Sequence, residues 1–307
     1  MQKLINLTLS PTFQPIANSP VITIINIIPK LFKFSGGEQH IKLDDPTISE
    51  LKKAKSMYIS HQLSSSSAVM ETLIATDAVR RINKNIKINL ICPYFPYARQ
   101  DRIMVAGESF TLDVFTKLIN SQNYESVTIM DPHSDVCSAL INNVNVIDNC
   151  AFAKECLNDV YTIYNKDNVV LVSPDAGTYK KIYNVAKYCN FPSDKIINGC
   201  KIRDVSTGRI IKTGYLGDVK DKICVIVDDI IDAGSTFIEL ANILKKDGAI
   251  KVILIVTHGI FSKGFECLKC IDKIYTTDSF KTFDENILDQ VKFVKQIKLS
   301  INSSCFE

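Results

Sequence analysis

Short β-branched runs that alternate with stretches of helical spacing constrain this chain most strongly. Apolar runs fall at residues 21–28, 57–60, 86–92, 127–130, 169–173, 223–227, 252–256 and 273–276. Between many of them, 69–82, 112–119, 178–189 and 235–246 carry apolar residues three and four positions apart, the spacing of a helix with one buried face. Strand then helix, repeated, predicts an α/β chain of parallel sheets flanked by helices. The pattern runs twice with a seam near residues 145–151, so two packed domains are expected, 1–147 and 148–307. At 307 residues the chain is long enough to bury two cores.

Composition narrows the partners. The formal net charge of +3 is too small to imply nucleic acid, and small molecules fit better. The ten cysteines are scattered, several within apolar runs, as expected of reduced, buried thiols in a cytoplasmic protein. The pair in "CLKC", Cys267 and Cys270, has the spacing of half a zinc site, but no second pair accompanies it. No apolar run approaches the ~20 residues that span a bilayer, and no secretory leader pattern opens the chain, so neither membrane nor export is expected.

In open parallel sheets ligands sit beyond the carboxyl ends of the strands. Four such ends carry chemistry. "PYFPYARQDR" (93–102) offers Tyr94, Phe95 and Tyr97 as flat faces for a purine, with Arg99 and Arg102 for polyphosphate; an ordinary aromatic surface loop is the alternative. "DPHSD" (131–135) places His133 at a strand exit, and "PDAGTYKK" (174–181) places Asp175 at another. A hard cation carrying ATP phosphates needs only one or two protein ligands there.

"VDDIIDAGSTF" (227–237) is the fourth. Asp228, Asp229 and Asp232 repel one another unless donors or cations intervene. Ala233, Gly234 and Ser235 lead into a helix whose first N–H groups can receive a phosphate, and the hydroxyls of Ser235 and Thr236 add donors. The two leading acids would then accept from ribose hydroxyls. A plain helix cap with solvated acids is the alternative. Between strands, "GCKIRDVSTGRIIKTG" (199–214) sets Lys201, Arg203, Arg209 and Lys212 against Asp204, as either a mobile basic lid or a solvated hairpin.

Taken together with "THGIFS" (257–262), "FSGGE" (34–38) and "DAVRR" (77–81), these segments resemble class I ribose-phosphate diphosphokinases in order and spacing, over most of the chain. The resemblance implies two tandem phosphoribosyltransferase-type domains, each with a mostly parallel sheet, and a homo-oligomer built from dimers. It implies transfer of the β,γ-diphosphoryl group of ATP to the anomeric hydroxyl of a ribosyl phosphate, with Mg²⁺. Phe34, Glu38, Arg99, Gln100 and Asp101 match the ATP-binding positions, partly across a subunit interface. His133 and Asp175 match the magnesium-linked positions, with His133 also catalytic. Lys201 and Arg203 match the catalytic loop, and 228–236 match the ribose 5-phosphate loop.

The departures bear on the acceptor. The family's phosphate loop reads D-T-G-G-T where this chain reads D-A-G-S-T: Ala233 lacks a hydroxyl donor and Ser235 adds bulk. Gly36 stands where an aspartate is usual, and "IMVAGESFTL" (103–112) replaces a basic stretch, so phosphate and ADP regulation does not carry over. Two acceptors stay open. Ribose 5-phosphate would give phosphoribosyl diphosphate. ADP-ribose, whose 5′-phosphate is a diester needing fewer donors, would make the chain similar to phage ADP-ribose pyrophosphate synthetases of NAD⁺ restoration. A non-catalytic family member that regulates true synthetases is the third reading, and retention of Lys201, Arg203, His133 and Asp175 weighs against it.

Overall fold

The computed structural model describes residues 2–17, 21–203 and 210–302; for 2, 200–203 and 210–213 it describes the backbone. The chain divides into two compact units. The first runs to Ile147 and takes back Asp278–Thr282 and the residues from Lys298; the second holds Asp148–Thr277 and Phe283–Ile297. The C-terminal part therefore does not stay whole within the second unit.

In the first unit the order is β1 (Gln2–Thr8), β2 (Ile16–Ala17), β3 (Ile22–Ile27), β4 (Lys30–Lys33), β5 (Gln39–Lys42), α1 (Asp45–Lys53) and β6 (Ser56–Ser60). It continues through α2 (Ser66–Ile82), β7 (Lys87–Ile91), α3 (Thr111–Asn120), β8 (Ser126–Met130), α4 (Asp135–Leu140) and β9 (Val144–Ile147). Six strands form a parallel sheet in the order β3-β1-β6-β7-β8-β9, and β4 and β5 make a separate antiparallel hairpin. The central strands read as near-continuous apolar runs because helices cover both faces of a parallel sheet. Leu7, Met57, Ile59, Ile88 and Leu90 are buried. Helix starts follow local chemistry: Asp44 accepts from the Thr47 N–H at 3.0 Å ahead of α1, and Ser65 from the Ala68 N–H at 3.1 Å ahead of α2.

In the second unit the order is α5 (Cys150–Ile163), β10 (Val169–Ser173), α6 (Tyr179–Tyr188), β11 (Ile196–Arg203), β12 (Ile210–Leu216), β13 (Ile223–Ile231) and α7 (Ser235–Lys246). β14 (Lys251–Gly259), β15 (Lys273–Thr277), α8 (Glu285–Gln290) and β16 (Val294–Ile297) complete it, and β17 (Ile301–Asn302) pairs with β2 in the first unit. The seven strands run β12-β11-β10-β13-β14-β15-β16, parallel except for β12. The chain leaves β10 for β11 on one side and reaches β13 on the other. Strand order thus reverses between β10 and β13, which opens a crevice at their carboxyl ends. Both units are α/β domains built on a mainly parallel sheet.

One sequence expectation changes here, and one of the alternatives left open for the basic segment, the hairpin, agrees with the backbone. The acids Asp228 and Asp229 lie within β13 rather than beyond it, because the ladder continues: Asp228 pairs with Val256 and Ile231 with Gly259. The basic segment 199–214 contributes to an antiparallel ribbon of β11 and β12, with Lys201 opposite Thr213 and a register shift between Ile202 and Arg203. Among the described residues no helix is long and apolar enough to cross a membrane.

Candidate active site

In the second unit the crevice is built from two strand exits. β10 is buried throughout and ends at Ser173, whose hydroxyl donates to the Asp175 carbonyl at 2.6 Å. Thr178 Oγ1 donates to the same carbonyl at 2.9 Å, and Asp175 Oδ1 accepts from the Gly177 N–H at 3.0 Å. These bonds hold the Asp175 carboxylate at the start of the turn that opens α6. Gly199 of β11 packs directly on the carbonyls of Ser173 and Pro174, where no Cβ would fit, and its own carbonyl accepts from Tyr179 Oη at 2.8 Å.

β13 delivers the acids. Asp229 is buried at 3% exposure, with Lys181 Nζ 3.8 Å from its Oδ1, and its backbone N–H donates to Asp228 Oδ1 at 2.8 Å. Burial, then the neighbouring Asp229 carboxylate and more weakly Asp175, push the Asp228 carboxyl well above the ordinary carboxylate range. Of the three acids expected to repel one another, Asp228 and Asp229 do share one electrostatic neighbourhood, joined by Asp175. Lys181, quoted with its motif but given no role from sequence, is the cation that meets it.

Asp232 and Ala233, both half-buried, turn the chain into Gly234, which has φ 79° and forms the N-cap of α7. Gly234 has no side chain with which to cap this helix, whose first internal bond runs from the Ile238 N–H to the Gly234 carbonyl at 3.0 Å. The first turn of a helix leaves backbone N–H groups without intrahelical partners, and such groups can receive a phosphate. A Cβ at Gly234 would lie 2.6 Å from Leu268 Cδ2, so the position requires glycine on both conformational and steric grounds. Ser235 begins the helix itself and is exposed; serine there needs no left-handed backbone. Lys201 and Arg203 lie on β11 by backbone, and their side chains, like Arg209, fall outside the described residues.

In the first unit the exits of β7 and β8 enclose a cavity of about 450 Å³. Arg99, Gln100, Asp101, Arg102, Ser109 and His133 are among its lining residues, so four of the sequence-derived site residues come together. The Gln100 carbonyl accepts from the Leu112 N–H at 3.4 Å, which ties this loop to the start of α3. Asp101, 6% exposed, holds Arg102 through two bonds, from Nε to Oδ1 at 2.8 Å and from Nη2 to Oδ2 at 3.2 Å. That guanidinium keeps the Asp101 carboxyl below the ordinary range against burial, with nearby His133 acting in the same direction. Asp101 thus positions Arg102, one of the two arginines expected to meet polyphosphate.

His133 follows Asp131, a buried residue at φ 40° whose N–H donates to the Ile147 carbonyl at 2.8 Å. A left-handed conformation costs an L-residue about 1–2 kcal/mol and bends the exit of β8 over the sheet end.

Of the aromatic faces expected for a purine, Phe95 is buried against protein, whereas Tyr97 keeps 38% exposure. Phe95 is 2% exposed and packs on Phe115 at 4.8 Å between centroids, Tyr97 packs on the same ring at 5.4 Å, and Tyr94 meets Phe280 edge-on at 5.1 Å. Loop aromatics beside prolines carry no periodicity, so burial could not be read from them. Phe34 and Glu38 lie apart from the cavity, at the tip of the β4–β5 hairpin. Phe34 is 52% exposed and packs on Phe32 and His40, and a Cβ at Gly36 would lie 3.1 Å from Glu38 Oε2.

The first unit's own strand-order reversal, between β1 and β6, is occupied by the chain itself. Gln62, just after β6, donates through its side-chain amide to the Asp278 carbonyl and to Thr282 Oγ1, the latter at 3.2 Å. Asp278 Oδ1 in turn accepts from the Leu299 N–H at 2.8 Å. The returning segment is thus tied by hydrogen bonds to the residue that follows β6.

Comparison with known proteins agrees with this architecture. Residues 12–122 match the N-terminal domain of ribose phosphate pyrophosphokinase, and 211–301 match the phosphoribosyl synthetase-associated domain. A ribose-phosphate pyrophosphokinase of Mycoplasma genitalium is 30% identical over 283 residues, covering 89% of this chain and 80% of the relative. One from Xanthomonas campestris is 31% identical over 234 residues, covering 75% and 70% respectively. The crystal structure of phosphoribosylpyrophosphate synthetase from Mycobacterium smegmatis aligns with a TM-score of 0.76 at 22% identity, over 97% of this chain and 95% of that one.

Proposed function

This chain belongs to the ribose-phosphate pyrophosphokinase family, and from that premise we propose that it transfers the β,γ-diphosphoryl group of ATP to the C1 hydroxyl of ribose 5-phosphate. The observation that carries the reading is the start of α7 at a left-handed glycine, Gly234, following Asp228 and Asp229 on the strand where strand order reverses. A phosphate takes the helix N–H groups and the hydroxyls of Ser235 and Thr236, while the acids accept from ribose hydroxyls. Asp232 and Ala233 complete the loop.

The C1 oxygen attacks the β-phosphorus in line, the bond from that phosphorus to the bridging oxygen breaks, AMP leaves with that oxygen, and the hydroxyl proton passes to water. Positioning and charge neutralisation supply most of the acceleration in such transfers. Arg99 and Arg102 suit the ATP phosphates, with Gln100 and Asp101 shaping the pocket wall. Lys201 and Arg203 neutralise the charge that develops, and loss of either cation lowers the rate by roughly 10²–10³.

Among the described residues no three His, Cys, Asp or Glu side chains form a cation cluster. That donor set fits Mg²⁺, which takes most of its ligands from phosphates and water and needs only one or two from protein. Asp175 is the hard oxygen donor, and His133 acts through a coordinated water or on a phosphate. Held by such residues, Mg²⁺ would supply positive charge to offset that of the phosphates. The exposed Phe34 and Glu38 would complete the ATP pocket of a second copy, which is the reading of an assembly built from dimers.

Ala233 and Ser235 favour a second acceptor, ADP-ribose, since a diester phosphate needs fewer donors. Purified protein with ATP, Mg²⁺ and each acceptor separately, assayed for AMP and for diphosphorylated product, distinguishes them. The primary reading expects the higher kcat/KM with ribose 5-phosphate; a higher value with ADP-ribose overturns it in favour of the second.

A further inference from the structure

The "CLKC" pair has no role in the reaction as described, yet it sits behind the phosphate loop. Beyond β14 the chain makes successive tight turns: the Gly264 N–H donates to the Phe261 carbonyl, Leu268 to Phe265 and Ile271 to Leu268, each at 2.9 Å. Residues Glu266–Leu268 form a 3₁₀ turn. Cys267 falls in that turn and Cys270 in the next, closed by the bond from Ile271 to Leu268, so the two stand one turn apart. Cys267 is exposed and Cys270 half-buried. Between them Leu268, 1% exposed, points at Gly234.

The segment has little slack. Phe265 packs on Phe261 at 4.8 Å and on Phe283 at 5.4 Å, and the Ile260 N–H donates to the Ile231 carbonyl at 2.9 Å, one residue before Asp232. Neighbours at helical spacing have Cβ atoms about 5–6 Å apart. A disulfide requires roughly 3.5–4.5 Å. Closing the bond therefore takes about 1–2 Å from the backbone that carries Leu268.

We propose that Cys267 and Cys270 are a thiol–disulfide pair whose closure by a low-molecular-weight disulfide shifts Leu268 against Gly234 and weakens the phosphate loop. The consequence for the acceptor rests on the function proposed above; the pair itself does not. The exposed Cys267, as thiolate, attacks the small disulfide, forming a mixed disulfide and releasing one small thiol. Cys270 then attacks the Cys267 sulfur and releases the second. Two cysteine thiols are oxidised, one small disulfide is reduced to two thiols, and the two cysteine protons end on them.

Full-length protein is incubated with oxidised glutathione, and the 267–270 peptide is mapped by mass spectrometry after alkylation. Amide hydrogen exchange over 232–238 and the KM for each substrate are measured on the same samples. The expected result is an internally linked peptide lighter by two hydrogens, faster exchange in the loop, and an acceptor KM raised on the order of tenfold with the ATP KM unmoved. Dithiothreitol reverses all three, and Cys267→Ser shows none. A mixed disulfide alone, or a linked peptide with unchanged loop exchange, overturns the proposal. If reduced protein makes no AMP with any acceptor, the proposed function falls, while linkage and exchange still decide the fate of this pair.

Discussion

Gly234→Ala tests the steric logic of the phosphate loop. The backbone there has φ 79°, which costs an L-residue roughly 1–2 kcal/mol. The new Cβ would stand 2.6 Å from Leu268 Cδ2. That is about 1 Å inside ordinary carbon–carbon contact. Relieving such an overlap at a buried leucine costs about 1–3 kcal/mol, so the variant should lose about 2–5 kcal/mol in all. Urea denaturation followed by circular dichroism measures it. Leu268→Ala alone should cost about 2–5 kcal/mol through the cavity it leaves. In the double variant the overlap is gone, so the two losses should fall short of additivity by about 1–3 kcal/mol. Additivity within ~0.5 kcal/mol would refute the contact, and a loss below ~1 kcal/mol for Gly234→Ala would refute the strained turn.

Other perturbations read the buried acids. A carboxyl whose folded pKa is raised contributes stability below its unfolded pKa and loses it as pH rises through the folded value. Asp228 is such a group, so Asp228→Asn should raise the melting temperature of ligand-free protein at neutral pH while acceptor turnover falls; a lower melting temperature would contradict the assignment. Burial pushes Asp278 from 3.8 to about 6. Asp278→Asn should therefore flatten the stability loss between pH 4 and 7 and gain on the order of 2–3 kcal/mol at pH 8, read from urea midpoints across that range. Asp101→Asn removes the charge that holds Arg102 and should raise the ATP KM on the order of tenfold, with the acceptor KM little changed in steady-state assays.

Much of this was legible where local chemistry and periodicity agree. Helix α7 starts and ends where its spacing and the glycine before it place it, at Ser235–Lys246. β13 was read short because two acids interrupt its apolar run, whereas the ladder to β14 carries the strand on to Ile231. The lid segment left two readings open, and its backbone pairs as a ribbon because Ile196–Arg203 can add to β10 while 210–216 returns alongside. What periodicity could not carry is non-local. Gln62 meets Asp278 across more than two hundred residues, and Phe95 is buried by Phe115, a partner on a helix that begins sixteen residues later. Among the candidate residues, His133, Asp175 and Arg102 were picked out by strand-exit position and motif chemistry, whereas Lys181 emerged only from its pairing with Asp229.

The most direct test of the central claim is phosphorus NMR of the products formed from ATP, Mg²⁺ and ribose 5-phosphate. The account predicts AMP in equal amount with a sugar that bears a diphosphate at C1, both phosphorus atoms of which come from the β and γ positions of ATP. ADP with a sugar bisphosphate, or no diphosphate on carbon 1, would contradict it.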